Sequence, residues 1–221
     1  MDRYVSLDEI SDGKLYDLND MVKADCGDCE GCSACCRGMG NTIILDPLDV
    51  SRLTAELGST FEEMLNDQIE IHMADGLILP SLKMSGPGES CSFLDREGRC
   101  SIHKARPGIC RLFPLGRYFE NNSFRYFLQI HECKKEYRSK IKVRKWIDTP
   151  DLKRNQIFIS QWHYFLKEVQ KFLENAGDDA MRRHAALYIL KQFYAAGYEQ
   201  QNDFYEQFEE RLKTAREELL H

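Results

Sequence analysis

Five cysteines fall within eleven residues: Cys26, Cys29, Cys32, Cys35 and Cys36, in the run CGDCEGCSACC. Four more follow at Cys91, Cys100, Cys110 and Cys133, and residues 134–221 contain none. Each two-residue gap lets the chain turn tightly, so that neighbouring sulfurs can face one centre. A thiolate ligand has to lose its proton, and a soft cation drives that loss. The interleaved glycines at Gly27, Gly31 and Gly38 ease the tight backbone this requires. A single CxxC says little, but four in series with four remote cysteines predict ligation of a metal or cluster.

A disulfide framework fits less well. The start, MDRYVSLDEISDGK, is charged and has no apolar segment of the secretory kind, so the expected location is cytoplasmic, where thiols stay reduced. Nine is also an odd number. Thiol exchange needs two cysteines and leaves the others idle. Two centres then compete. An iron-sulfur cubane takes a C-x2-C-x2-C run plus a fourth ligand from elsewhere, and the spacing leans toward this 4Fe-4S reading. Zinc, held by two CxxC-type pairs, is the alternative. The expected metal ligands are all nine: Cys26, Cys29, Cys32, Cys35, Cys36, Cys91, Cys100, Cys110 and Cys133.

The segment CSFLDREGRCSIHKARPGICRLFPLGR carries three of them. Cys91 and Cys100 sit at the two ends of an expected hairpin around Glu97-Gly98. Arg106-Pro107 forces an extended turn before Cys110, and Phe113-Pro114 is expected to shield one flank. Four thiolates on zinc or on a cubane leave net negative charge, so Arg106 and Arg111, which flank Cys110, are expected as cofactor-binding guanidinium groups. His103 and His131 are candidates for a ligand or for a group that orients one.

The run CxxCxxCC at Cys29, Cys32, Cys35 and Cys36, followed by CSFLDREGRCSIH and RPGICRLFP, resembles the YkgJ-type cysteine-cluster family. The resemblance spans roughly residues 26–133 and implies a zinc- or iron-chelating domain. By position it implies Cys29, Cys32, Cys35, Cys36, Cys91, Cys100 and Cys110 as the matching cysteines, with Cys133 beside them. Cys26 extends the usual run by one step, and His103 stands where the family commonly has tyrosine. A related module occurs in flagellin lysine N-methylase, which makes a component of a protein-modifying enzyme the alternative to a structural, sensory or electron-carrying metalloprotein. No GxGxxG after a strand, P-loop, HExxH or nucleophile elbow is present, so no catalytic residue is expected.

The remainder predicts an α+β protein in two parts. Residues 1–145 form a small irregular cysteine-rich domain with short hairpins, and residues 150–221 a helical segment of about three helices. In the first part TIILDP reads as a short strand, Asp46-Pro47 opens a helix to about Leu57, and Ser59-Thr60 caps another. Hairpins are expected at Asp75-Gly76 and Asn121-Asn122. In the second, Thr149-Pro150-Asp151 is a start signal, and Phe158, Trp162, Phe165, Val169 and Phe172 make one apolar face. Gly177 ends that helix and Asp178 or Asp179 caps the next. These stripes predict helix packing, with a protein partner through the helices as the second possibility.

The chain has 36 acidic and 30 basic residues and a formal net charge of -6, a field that does not attract nucleic acid or anionic lipid. The basic run KKEYRSKIKVRKW at residues 134–146 reads as a solvated linker or strand. No stretch reaches the ~18 apolar residues of a membrane span.

Overall fold

The computed structural model describes residues 6–27, 32–176 and 178–220. The first part is built of antiparallel hairpins and short helices. After α1 (Leu7–Ile10) and β1 (Met21–Asp25), a 3-10 turn covers Ala34–Cys36. Two helices follow, α2 (Pro47–Leu57) and α3 (Phe61–Asp67). Then come β2 (Ile69–Ala74), β3 (Leu77–Leu82), β4 (Met84–Ser85) and β5 (Ser90–Cys91). The short helix α4 (Gly108–Leu112) leads into β6 (Leu115–Glu120), β7 (Ser123–Leu128) and β8 (Ser139–Lys142). Among the described residues four two-stranded antiparallel ladders result: β1-β8, β2-β3, β4-β5 and β6-β7.

Local chemistry accounts for these elements. Asp46 and Asp49 form a reciprocal capping box at the start of α2, with Pro47 in the first turn. Thr60, rather than Ser59, caps α3 in the same way with Glu63. The β2-β3 turn places Asp75 and Gly76 at φ 49° and 82°, and the β6-β7 turn places Asn121 and Asn122 at 50° and 57°. Two consecutive left-handed residues are what a tight two-residue hairpin needs, and Asn, Asp and Gly tolerate them best.

Three local expectations need correction. TIILDP forms no strand; it contributes one bridge, Ile44 to Ser81. The segment from Cys91 to Cys100 folds back as expected only over its inner residues, where Leu94 bridges Cys100 antiparallel and Asp95 N donates to Arg99 O at 2.8 Å. Cys91 pairs instead with Met84, and the segment closes as a turn held by Asp95, whose Oδ1 accepts the Glu97 and Arg99 N–H groups at 3.0 and 2.7 Å. The helix expected from Thr149-Pro150 begins two residues later, because Asp148 and Asp151 adopt φ 45° and 47°, outside the helical range.

After α5 (Val143–Ile147), the second part consists of α6 (Leu152–Ala176), α7 (Asp179–Leu190), capped by Asp178, and α8 (Phe204–Leu219), capped by Asp203. A π turn over Lys191–Ala195 extends α7. The end of α6 expected at Gly177 lies outside the described residues. The apolar stripes face inward: Phe158, Trp162, Phe165, Val169, Phe193, Tyr194 and Phe208 are buried. Their rings interlock, Phe158 edge-on to Phe208 at 4.6 Å and Trp162 against Phe193 at 4.8 Å.

The same core continues into the first part. Leu45, Leu53, Phe61, Met64 and Leu77 are buried in one cluster with those aromatics, and α7 packs on β3. The fully buried Tyr194 hydroxyl donates to the Leu45 carbonyl at 3.1 Å, just ahead of α2. The helices thus brace the hairpins. Among the described residues no helix is long and apolar enough to cross a membrane.

Candidate metal centre

Among the described residues, six thiols border one cavity of about 140 Å³: Cys32, Cys35, Cys36, Cys91, Cys100 and Cys110. They arrive from separate stretches of chain, and each stretch is fixed by its own hydrogen bonds. The 3-10 turn sets Cys36, whose N–H donates to Ser33 O at 3.0 Å. That turn is tied to β5, since Arg37 bridges Ser90 and Gly38 N donates to Glu89 O at 2.9 Å. Cys91 follows Ser90 directly, on the same short ladder. Cys100 is brought back by a bridge to Leu94 and by Ser101 N donating to Phe93 O at 2.8 Å.

Cys110 stands on α4, which is anchored from both ends. At its start, Gly108 N donates to Asp49 Oδ1 at 2.7 Å. At its end, the Trp146 indole N–H reaches the Leu112 and Phe113 carbonyls at 3.2 and 3.1 Å. Apolar walls complete the cavity, among them Met39, Ile43, Leu82, Phe93 and Phe113. Phe113 therefore flanks the site as expected.

The electrostatics mark four of the thiols as one group. Burial does most to push Cys91 up to about 11, with Cys36 and Cys100 adding to the shift. Burial likewise raises Cys100, with Cys36 adding to the shift. Cys110 is driven well above the ordinary thiol value by burial, then by Asp49, Cys91, Cys36 and Cys100. Cys36 goes the other way, to about 7: a hydrogen bond with the adjacent Cys35 lowers it most, Arg37 and Arg106 assist, and burial opposes. Cys36, Cys91, Cys100 and Cys110 thus share one electrostatic environment. The thiols surround a shared space rather than meet at a point: among the described residues, no three His, Cys, Asp or Glu side chains stand close enough to hold a metal ion.

The other expected site residues lie in different places. Cys26 follows β1 and borders a surface recess with Lys23, Tyr137 and Arg138, away from the cavity. Cys29 lies outside the described residues. Cys133 is half-buried in the segment between β7 and β8; its neighbour Glu132 borders the cavity, as does Gln129. Arg106 borders the cavity. Arg111 does not: its buried guanidinium donates to three backbone carbonyls, those of Arg106, Asp148 and Lys104. It therefore holds the loop that carries Cys110 instead of facing the thiols. His103 borders the cavity and contacts Arg106 at 2.8 Å, whereas His131 is exposed.

Asp49 is the residue that sequence reasoning passed over. Its place in a capping box is visible in DPLD, but its second role, receiving the Gly108 N–H from a loop far along the chain, has no local signature.

The architecture and the convergent thiols define a small α+β domain built round cysteine-rich loops. A family model, CxxCxxCC, described as "Putative zinc- or iron-chelating domain", matches residues 28–142, about half of the chain, and the protein belongs to that family. No curated protein and no solved structure matches it.

Proposed function

We propose that this cavity holds an iron-sulfur centre through the thiolates of Cys36, Cys91, Cys100 and Cys110, with Cys32 and Cys35 beside them. The observation that carries the reading is that thiols from the first cysteine run and from the segment 91–110 border one cavity. Thiols gathered in an apolar cavity stay protonated unless a cation replaces their protons, and a soft metal does that. The donor set fits zinc or iron, since a tetrahedral zinc ion and a cubane each take four thiolates; the C-x2-C-x2-C spacing of the first run favours the cluster.

When bound, such a centre supplies reversible one-electron chemistry or, in a purely structural role, cross-links the loops. The chain's own groups prepare that place. The Cys35 contact and the Arg37 and Arg106 charges make Cys36 the thiol readiest to ionise. Met39, Ile43, Leu82, Phe93 and Phe113 give the cavity apolar walls. Arg106 offsets part of the negative charge of the thiolates. Residues 1–145 form the metal-bearing unit in this reading, and residues 150–221 act as its helical brace. The role is structural, sensory or electron-carrying.

Anaerobic purification followed by elemental analysis, sulfide assay and an absorption spectrum tests the proposal. Iron with acid-labile sulfide is the expected result. Zinc without sulfide replaces the cluster with a zinc site, and protein that is folded but free of both overturns the reading.

A further inference from the structure

From the contact between Arg106 Nη1 and His103 Nε2 at 2.8 Å, we infer that His103 is not a metal ligand but the positioning residue that holds Arg106 over the thiols. This rests on the reading of the cavity as a thiolate site.

The chemistry of the pair fixes the roles. A guanidinium has five N–H donors, no acceptor, and does not lose its proton in proteins. At this separation Arg106 donates, and His103 Nε2 receives with its lone pair. The ring proton of His103 then resides on Nδ1, and the imidazole is neutral. A lone pair engaged by a guanidinium is not offered to a metal.

The spacing supports the same assignment. His103 and Arg106 are three residues apart, on the turn that links Cys100 to α4, and both border the cavity. The segment between them is held from below, because Arg111 donates to the Lys104 and Arg106 carbonyls. The backbone is thus pinned by Arg111 while the Arg106 side chain is pinned by His103. Arg106 borders the same cavity as Cys36 and Cys100, so its positive charge lies beside both thiols. A guanidinium swinging freely would spend much of its time in solvent, where its effect on the thiolates is screened.

Two measurements test the assignment. The first is the nitrogen-15 spectrum of the histidine rings in the full chain as purified, near neutral pH, with the His103 resonances identified by their loss in His103→Gln. Protonated Nδ1 and unprotonated Nε2 are expected; a protonated Nε2 overturns the proposal. The second is the rate of metal release to a chelator. Gln presents an acceptor oxygen near the Nε2 position, and Phe presents none. His103→Gln is expected to keep the wild-type metal stoichiometry and to release it within about two-fold of the wild-type rate, whereas His103→Phe releases it about ten-fold faster, as loss of a group supporting a ligand shell does. Loss of stoichiometry in both variants makes His103 a ligand and overturns the proposal, as does an unchanged rate in His103→Phe. If the wild-type chain carries no metal, the reading of the cavity fails, and the ring spectrum still decides the His103–Arg106 pairing.

Discussion

Asp49 Oδ1 accepts the Gly108 N–H at 2.7 Å, joining the start of α2 to the start of α4 across 59 residues of chain. The other carboxylate oxygen receives the Asp46 N–H at 3.2 Å. One buried side chain thus terminates two helices, and the second of them carries Cys110. Replacing Asp49 with Ala removes both acceptors and leaves a buried N–H unpaired. The expected loss is about 2–4 kcal/mol, combining a helix cap and a buried hydrogen bond. Denaturant unfolding of Asp49→Ala checks it, and a loss within the usual surface range of about ±0.5 kcal/mol contradicts it.

The same pair sets a pH dependence. Burial, followed by the charge of Asp49, raises Asp46 to about 8, whereas an unfolded carboxyl titrates near ~4. Between those values the native state keeps a proton that the unfolded chain has released. Stability therefore falls as pH rises through that window. Asp46→Asn is expected to flatten the slope relative to wild type. Unfolding midpoints measured across the window, giving the same slope for both proteins, contradict the burial argument.

Cysteine substitutions should divide into two sets. Cys36→Ser, Cys91→Ser, Cys100→Ser and Cys110→Ser are expected to lose bound metal, because each removes a member of the coupled group. Cys26→Ser is expected to keep it, since Cys26 borders a separate recess. Metal per chain by elemental analysis separates the sets; equal loss in Cys26→Ser puts that thiol among the ligands.

Metal removal should lower the melting temperature. The loops that carry the thiols are otherwise tied mainly by short ladders and turns, so binding energy at the site is folding energy. Saturating metal at 100–1,000 times its dissociation constant stabilises by about 3–4 kcal/mol, which corresponds to roughly 6–16 °C for a chain of this size. Thermal unfolding with and without a chelator measures the shift, and coincident curves exclude this role.

Tyr194→Phe tests the brace. It leaves the Leu45 carbonyl without its partner in a buried setting. A loss of about 1–2 kcal/mol is expected with metal content unchanged. Unchanged stability would mean that the carbonyl finds another donor.

Much of this architecture is legible where the signals are local. The capping boxes at Asp46 and Thr60, the turns at Asp75-Gly76 and Asn121-Asn122, and the inward stripe from Phe158 to Val169 all follow from residues a few positions apart. The Cys91–Cys100 segment misleads only at its start: Leu94 and Cys100 do pair across the turn, but Cys91 pairs with Met84, a partner upstream that the local turn signal does not reveal. Arg111 misleads for a related reason. Proximity to Cys110 in the chain places it beside the site, but its orientation on a helical turn directs it to backbone carbonyls. The spacing of the cysteines marks them as a group, yet which of them share a cavity depends on Asp49, Arg37 and Ser90, whose long-range bonds leave no trace in a short window.

The cavity wall that Cys110 completes has a temporal consequence. During synthesis the first cysteine run leaves the ribosome long before α4 exists, and the strand that seats Cys91 emerges between them. The enclosure closes only after Gly108 has met Asp49. A centre bound earlier would be held by the first run alone, so the finished site cannot be loaded until the chain has been made past Cys110, about halfway along its length.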